Sequence, residues 1–352
     1  MRANPAPGTP RQAGYIFPAE FGRHAATWLS WPHKEASWPG KIHSIYASYS
    51  RFVRELTLGE RVCINVRDAA MEASAIGHLD VAGADLKQVR FFRFPTNDAW
   101  CRDHGPAFLV NPEAAQKKVI VDWGYNAWGN KYPPFDLDDA IPTLIGEALG
   151  LLVYHPGIVM EGGSVDFNGA GTLITSSCCL LNPNRNPLLD REKVEGYLRD
   201  YYGVEQILWV SQGIVGDDTD GHIDDTVRFV NADTVVTAIE DDARDENYQL
   251  LKDNLSELSR MRLLSGKQLN IVELPMPAPV IYEDQRLPAS YANFYIANAS
   301  VIVPTYRCDE DERAVRVLEG CFPGRRVTGI DSTDIIWGLG SFHCLSQQEP
   351  DV

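Results

Sequence analysis

The chain has few basic residues for its length, and this scarcity excludes two common classes of partner. Its 352 residues include 32 Lys+Arg against 48 Asp+Glu, a formal net charge of −16. Nucleic-acid binding needs a basic surface and anionic membranes attract basic segments, so neither partner is predicted. A negative field is compatible with a small cationic substrate, although solubility alone also accounts for it. No run approaches 18 apolar residues, which excludes a membrane-spanning helix.

Several signature motifs are also missing. No CxxC pair occurs among the seven cysteines, so neither a zinc ribbon nor a CxxC redox motif is predicted. No GxGxxG follows a strand and no GxxxxGK[ST] is present, so dinucleotide and P-loop chemistry lack support. The first residues contain no apolar stretch, so we expect no signal peptide and a cytoplasmic protein. Its thiols are then reduced, and one of them is a candidate for a reactive cysteine.

The order of predicted elements indicates an α/β protein with one main domain. Residues 1–14 resemble a flexible arm and residues 15–352 a single domain without a linker. Helical periodicity and capping residues predict helices at Ile42–Leu58, Asp68–Ile76, Asp136–Leu149, Asp190–Tyr202, Ala243–Leu264 and Glu310–Gly320. Short β-like runs, among them Ala107–Val110 and Thr172–Ser176, alternate with them and make about five successive units. This repeated order favours a closed α/β propeller over a Rossmann sheet.

Four segments concentrate titratable residues beside glycine or tryptophan: Asn97–Pro106, Met160–Ser164, Thr219–Asp225 and Gly338–Cys344. Cys344 is the candidate nucleophile, because the glycines before it allow a substrate to approach and His222 could serve as its base. The alternative is a buried core thiol.

Three carboxylates are candidates for the same site. In an extended chain His222 and Asp224 point to one side, which makes an imidazole and a carboxylate neighbours. Asp103 follows Arg102 in a turn, and Glu161 follows an apolar run. Each also has a structural interpretation: an Arg102–Asp103 pair, a buried paired Glu161, or a solvated acidic loop around Asp224.

A zinc site is an alternative to these assignments. His222, Asp224, His343 and Cys344 could together ligate zinc. The eight histidines are scattered, however, and neither HExxH nor His-x-His occurs. No metal is therefore predicted.

Taken together, the segments resemble the agmatine deiminase family, the bacterial peptidyl-arginine deiminase-like branch of the guanidine-modifying superfamily. The motifs span nearly the whole chain: Pro18–Glu20, His24–His33, Trp38–Gly40, Asn97–Pro106, Glu161–Gly163, Asn182–Asn186, Gly221–Asp224, Tyr291–Asn298, Val301–Pro304, and His343-Cys344 with Gln347-Gln348.

This resemblance implies a pentein-type, five-bladed α/β propeller with a central active site. By position, Cys344 matches the nucleophile and His222 the general acid/base. Asp103 and Asp224 match the clamps on the guanidinium, and Glu161 the carboxylate that supports the histidine and the substrate. No cofactor and no metal are implied.

The implied reaction is hydrolysis of agmatine to N-carbamoylputrescine and ammonia, a step of putrescine and polyamine metabolism. Two carboxylates hold the planar guanidinium, a thiolate attacks its carbon, and water releases the product from a covalent thiouronium intermediate. The predicted partner is a small cationic guanidine, with a homodimer as an optional assembly.

Trp100, Asp98 and Gly340 are the candidate substrate-binding residues. Agmatine ends in an ammonium and has no carboxylate, so its pocket should be acidic or aromatic. Trp100 is placed to pack on the methylene chain. The nearby Arg102 and Arg185 are interpreted as structural partners of carboxylates.

The nucleophile loop departs from the family's usual GGGNIHC. Leu339, Ser341 and Phe342 stand where Gly, Asn and Ile are usual, and Thr305–Cys308 also differs from the common pattern. These departures leave three alternatives open: a deiminase of peptidyl-arginine or another guanidine, an amidinotransferase, and a binder that has lost activity.

Overall fold

The computed structural model describes residues 8–352 and divides them among short strands, short helices and turns. The strands within this range are β1 His24–Ser30, β2 Arg61–Asn65, β3 Val89–Phe92, β4 Ala107–Val110, β5 Lys118–Val121, β6 Val153–Tyr154, β7 Val165–Phe167, β8 Thr172–Ser176, β9 Gln206–Val210, β10 Val227–Asn231, β11 Thr234–Ile239, β12 Asn270–Pro275, β13 Ile281–Tyr282, β14 Gln285–Arg286, β15 Tyr295–Ile296, β16 Ser300–Thr305, β17 Arg326–Asp331 and β18 Ser346–Pro350.

The helices of the same range are mostly short. They are α1 Ile42–Leu56, α2 Ala69–Ala82, α3 Cys101–His104, α4 Ala127–Asn130, α5 Asp136–Asp139, α6 Ile141–Leu149, α7 Ser177–Leu180, α8 Arg191–Tyr202, α9 Asn247–Leu258 and α10 Glu310–Cys321. Short 3₁₀ helices occur at Arg11–Ala13, Gly162–Ser164, Ile223–Asp225, Tyr291–Asn293 and Ile335–Gly338. Each of these helices is too short or too polar to cross a bilayer.

Five sheets repeat one topology along the described chain. Their strand orders are β18-β1-β2-β3, β4-β5-β6, β7-β8-β9, β10-β11-β12 and β15-β16-β17, and β13-β14 is a separate hairpin. In each sheet the first pair is antiparallel and the next is parallel. The parallel pairs are joined through helices, as parallel neighbours require. This regular order confirms the α/β class.

The first sheet unites the two ends of the chain. β18 runs antiparallel to β1, with His24 opposite Pro350 and Leu29 opposite Ser346. Since β18 begins two residues after Cys344, this pairing fixes the position of the loop that carries the candidate nucleophile.

The helix ends follow the capping residues in the sequence. The Asp190 side chain accepts from the Lys193 N–H, and Gly203 terminates α8 at a φ of 70°. The predicted helix Asp136–Leu149 is divided at Ala140, because Pro142 in a continuous helix would clash with the preceding turn.

Two other helix predictions had wrong lengths. α2 continues to Ala82, well beyond the predicted end at Ile76. The helix predicted over Ala243–Leu264 is limited to Asn247–Leu258, because the chain then turns so that Arg262 pairs with Gln268 in an isolated bridge.

The apolar core is divided into clusters between the sheets and their helices. In one of them, Leu29 of β1 and Ile64 of β2 pack with Phe52 of α1 and Leu79 of α2, all fully buried. Of the predicted arm, residues 1–7 lie outside the described range. Arg11–Ala13 forms a 3₁₀ helix, and Asn111 Nδ2 donates to the Ala13 carbonyl at 2.9 Å.

Candidate active site

The candidate site residues lie in the links between consecutive sheets. Asp103 is in α3 between β3 and β4, and Glu161 lies between β6 and β7. His222 precedes a 3₁₀ turn between β9 and β10, Asn293 ends the 3₁₀ turn before β15, and Cys344 lies between β17 and β18. Each of the five links therefore contributes at least one group to a common site, and the link between β9 and β10 contributes both His222 and Asp224.

The predicted catalytic residues come together around the His222 ring. His222 Nδ1 lies 3.8 Å from Asp103 Oδ1 and 3.9 Å from Asp224 Oδ1, and Nε2 lies 3.9 Å from Glu161 Oε2. Cys344 Sγ lies 3.6 Å from Asp224 Oδ2. All five side chains are buried. The structure thus assembles a thiol, an imidazole and three carboxylates in one place.

Gly163 marks the space that these groups surround. A Cβ atom at this position would lie 2.5 Å from His222 Nδ1, 2.9 Å from Asp103 Oδ1 and 3.1 Å from Asp224 Oδ2. Glycine leaves this space open, and its own N–H donates to Asp103 Oδ1 at 2.9 Å. The sequence motif Glu161-Gly162-Gly163 therefore has a steric function as well as a chemical one.

Several buried polar atoms of the site have no hydrogen-bond partner among the described residues. They are both ring nitrogens of His222, Glu161 Oε2 and Asp224 Oδ1. Buried polar groups are normally paired, because an unpaired one costs free energy. Unpaired acceptors on two carboxylates, facing the same imidazole, suit a ligand with several N–H donors and a positive charge.

The two arginines of these segments pair with carboxylates in the protein. Arg185 Nε donates to Glu161 Oε1 at 2.7 Å, and Arg102 Nη2 lies 3.1 Å from Glu20 Oε2. Both arginines are thus structural partners of carboxylates, as expected, but Arg102 pairs with Glu20 and not with Asp103. Arg185 also leaves Glu161 with one free oxygen, Oε2, on the side of His222.

Sequence reasoning missed a chain of groups that holds Asp224. His343 Nδ1 lies 2.6 Å from Asp224 Oδ2, and His343 Nε2 lies 2.8 Å from Glu20 Oε2. Glu20 Oε1 in turn accepts from Arg228 Nη2 at 2.8 Å. His343 and Glu20 stood in recognised motifs, but only the fold shows that they meet.

Trp128 was missed as well, and it orients Asp103, the second carboxylate predicted to hold the guanidinium. Its Nε1 donates to Asp103 Oδ2 at 3.0 Å. The backbone from Ala127 to Asn130 has positive φ throughout, including 55° at Trp128, a conformation that non-glycine residues rarely adopt. No sequence pattern signals this turn.

Burial and mutual charge set the protonation of the site. Burial raises the pKa of Cys344 well above 9.0, and Asp224, Asp225 and Asp103 add to this effect. Burial lowers the pKa of His222, but nearby Asp103, Cys179 and Glu161 outweigh it and place that pKa well above 6.5. Both shifts favour a thiol and an imidazolium in the resting site.

The pKa values of the three site carboxylates shift in opposite directions. Burial, together with the charges of Asp224 and Glu161, raises the pKa of Asp103 to about 6 against the lowering effect of His222. Burial also raises the pKa of Glu161 and Asp224, but their cationic neighbours outweigh it and hold both values below the usual range. Asp103 is thus the clamp most sensitive to pH near neutrality.

Two groups of side chains have the spacing of metal ligands, but in each group neighbouring side chains already occupy ligand atoms that a metal ion would need. In the group of Asp224, Asp225 and Cys344, the amide nitrogen of Asn293 already lies within hydrogen-bond distance of all three side chains. The second group is Glu161, Cys179 and His222, and there the Arg185 guanidinium already pairs with Glu161.

A cavity of about 250 Å³ opens onto Cys344. Its lining includes the predicted Trp100, Asp98 and Gly340, and adds Trp128, Tyr132, Asp218, Tyr282 and Trp337. A Cβ on Gly340 would lie 2.7 Å from the Trp100 ring and 3.2 Å from Cys344 Sγ. Glycine here lets the nucleophile loop lie directly on Trp100.

Asp98 is already paired inside this cavity. Lys34 Nζ lies 3.3 Å from Asp98 Oδ2, and Ser37 Oγ donates to the same oxygen at 2.6 Å. Leu339, which stands where glycine is usual, also lines the cavity and has a φ of 70°, a region that favours glycine.

Comparison with known proteins identifies the family. The model of the Porphyromonas-type peptidyl-arginine deiminase family matches residues 16–350. The chain belongs to this family. The agmatine deiminase of Ectopseudomonas mendocina (strain ymp) is 33% identical over 365 residues, covering 97% of each chain. The resemblance stated from the sequence motifs is thereby confirmed.

Solved structures agree with this assignment. The agmatine deiminase of Enterococcus faecalis superposes with a TM-score of 0.92 at 30% identity, covering 99% of each chain. A C. jejuni agmatine deiminase with substrate bound gives a TM-score of 0.87 at 33% identity, covering 96% of each chain. This member of the peptidyl-arginine deiminase family is therefore an amidine- or guanidine-modifying hydrolase.

Proposed function

We propose that this protein hydrolyses agmatine to N-carbamoylputrescine and ammonia through a thiouronium intermediate on Cys344. The observation that carries the proposal is the ring of unpaired acceptors on Asp224 and Glu161 around His222, next to Cys344 Sγ. Relatives and solved structures named as agmatine deiminases support the choice of substrate.

In the first step the guanidinium lies between Asp103 and Asp224, which accept its N–H donors and fix its plane. As the guanidinium binds, the Cys344 thiol releases its proton to solvent, and the resulting thiolate attacks the central carbon and forms a C–S bond. One C–N bond then breaks, and the imidazolium of His222 gives its proton to the departing nitrogen, which leaves as ammonia.

In the second step water attacks the carbon of the thiouronium. His222, now neutral, takes a proton from this water, the C–S bond breaks, and sulfur keeps the electron pair. The products are the ureido compound and the regenerated cysteine. Glu161 keeps His222 cationic between turnovers, since the two side chains face each other.

The substrate itself helps to generate the nucleophile. Three carboxylates near Cys344 oppose its ionisation, as its raised pKa reflects. A bound guanidinium offsets their charge, which lowers the free energy of the thiolate in the complex. The thiolate therefore forms most readily when there is a substrate to attack.

The lining of the cavity suits an ammonium better than a carboxylate. Asp218 and Asp98 line it together with aromatic rings, and an ammonium over such a ring gains about 0.5–2 kcal/mol. Lys34 is the one cation among its described lining residues, and it is already engaged with Asp98. A free carboxylate would stay unpaired there.

We therefore expect agmatine to be preferred over free arginine by at least about a hundredfold in kcat/KM, since an unpaired buried carboxylate costs several kcal/mol. Ammonia release is measured on agmatine, arginine, an arginine peptide and guanidinobutyrate, with and without an added amine acceptor. Equal values for arginine, faster turnover of the peptide, or transfer to the amine would each contradict the proposal.

Removing either clamp should lower kcat/KM by about tenfold to a hundredfold. In Asp103→Asn and Asp224→Asn an acceptor facing the substrate becomes an NH₂ group, and a charge-assisted pair is worth about 1.5–3 kcal/mol.

The same variants give a test with pH. Asp103 accepts a proton as the pH falls through about 6, so the kcat/KM of the wild type should fall there. The Asp103→Asn variant should lack this fall in kcat/KM near pH 6, while the Asp224→Asn variant should keep it. Unchanged kinetics in either variant would remove that residue from the clamp.

We also infer that the five sheets surround the site as the blades of a propeller. Three observations support this: the sheets share one topology, β18 joins the chain ends, and each of the five links between sheets supplies at least one site residue.

A further inference from the structure

Asn293 contacts the candidate nucleophile through both ends of its side-chain amide. Its Nδ2 lies 2.9 Å from Cys344 Sγ, 3.0 Å from Asp225 Oδ1 and 3.3 Å from Asp224 Oδ2. Its Oδ1 accepts from the Cys344 N–H at 3.3 Å, and its carbonyl accepts from the His343 N–H at 3.2 Å. The side chain is fully enclosed, with 1% exposure.

These partners fix which way the amide faces. The backbone N–H of Cys344 can only donate, so the oxygen of the amide must lie toward it. The NH₂ group then faces three groups that accept. It has two hydrogens for three acceptors, and the sulfur is the nearest of the three.

Neighbouring segments hold Asn293 in this position. It ends the 3₁₀ turn Tyr291–Asn293, where the Ser290 hydroxyl accepts from the Ala292 N–H at 3.1 Å and donates to the Asp225 carbonyl at 2.8 Å. The turn is thus tied to the same segment that carries Asp224. The donor to Cys344 is therefore set in place before any substrate binds.

We propose that Asn293 is a further catalytic residue, whose amide stabilises negative charge on the Cys344 sulfur by donating a hydrogen bond to it. Three carboxylates near Cys344 disfavour the thiolate. The Asn293 amide opposes their effect, because it carries no charge and donates a hydrogen bond to the sulfur. A hydrogen bond to an ion is stronger than one to a neutral group, so the amide favours the thiolate over the thiol.

Both chemical steps benefit from this donor. A larger thiolate fraction speeds attack, because intrinsic nucleophilicity falls less steeply than the pKa of the thiol. In the second step the sulfur leaves carbon with an electron pair, and a better-stabilised thiolate leaves faster. The kinetic part of this inference depends on the proposed deiminase function, whereas the effect on the thiol does not.

The test is alkylation of Cys344 by iodoacetamide across a range of pH, in the absence of substrate. Trypsin should release residues 327–352, in which Cys344 is the only cysteine, so mass spectrometry follows this thiol alone. In Asn293→Ala the midpoint of the alkylation profile should move up by about one pH unit or more, the shift expected from losing a hydrogen bond to a charged group. If agmatine is turned over, kcat should fall at least about tenfold.

Two further variants separate this function from a structural one. Asn293→Ser is measured alongside and carries the same expectation, in case the alanine variant does not fold. Asn254→Ala is the matched control: Asn254 is also fully buried and bonds to Gln212 N and O at 3.1 and 2.8 Å. This control should lose stability but keep the alkylation profile of the wild type.

Binding is measured separately in the Cys344→Ser background, where agmatine affinity should change less than about threefold on adding Asn293→Ala. An unshifted alkylation profile in a folded Asn293 variant would overturn the proposal. A wild type that does not turn over agmatine, but whose alkylation still depends on Asn293, would instead contradict only the proposed substrate.

Discussion

Cys344→Ser should lower turnover by at least about 10⁴-fold and leave the fold intact. The serine hydroxyl is nearly the same size as the thiol but is hardly ionised at neutral pH, so it cannot attack a guanidinium carbon. Losses of this size follow removal of a catalytic nucleophile in other enzymes. The clamps remain, so agmatine should still bind, as calorimetry or a shift in Tm on adding agmatine would measure.

Cys101 provides the control for this result. It is fully buried in the same region, and burial raises its pKa to about 12, so it should be unreactive. Cys101→Ser should therefore keep most of the activity. Mass spectrometry under turnover should find the adduct on the peptide with Cys344. An adduct on Cys101, or a Cys344→Ser variant with near-normal rate, would show that the nucleophile is misassigned.

The sequence was sufficient to predict the elements whose signals are local. α8 begins after Asp190 and ends before Gly203, as its capping residues indicated. β4 and β8 have the predicted bounds, because short apolar runs between turn residues specify strands without tertiary help. The strand β18 was not predicted, because Ser346–Pro350 is polar and exists as a strand only through pairing with β1.

The site shows the same division between local and tertiary information. Cys344, His222 and the carboxylates were found because motifs of the chain contain them. Asn293 and Trp128 contact Cys344 and Asp103 from other parts of the chain, 51 and 25 residues away in sequence, so no spacing relates them. The Lys34–Asp98 pair was missed for the same reason. Because Lys34 offsets the charge of Asp98, the cavity is less negative than its carboxylates alone would make it.

Gly163→Ala should reduce kcat/KM by at least about a hundredfold without unfolding the protein. Its methyl group would lie 2.5 Å from His222 Nδ1 and 2.9 Å from Asp103 Oδ1, which is closer than atoms approach without a shift. It would occupy the space where we place the guanidinium and displace the histidine. Misplacement of reacting groups by about 1 Å can cost about a hundredfold in rate. Gly163 does not have a positive φ, so alanine can adopt its backbone conformation.

A matched glycine shows whether the loss comes from the site. Gly196 lies within α8, and a Cβ there meets nothing within 4 Å. Gly196→Ala should therefore keep full activity and raise stability by about 0.5–1 kcal/mol, because alanine favours a helix more than glycine does. For Gly163→Ala, binding of agmatine should be lost together with turnover, since the methyl group competes for the same volume. If that variant bound agmatine normally, or turned it over at the rate of Gly196→Ala, the guanidinium could not lie between Asp103, Asp224 and His222.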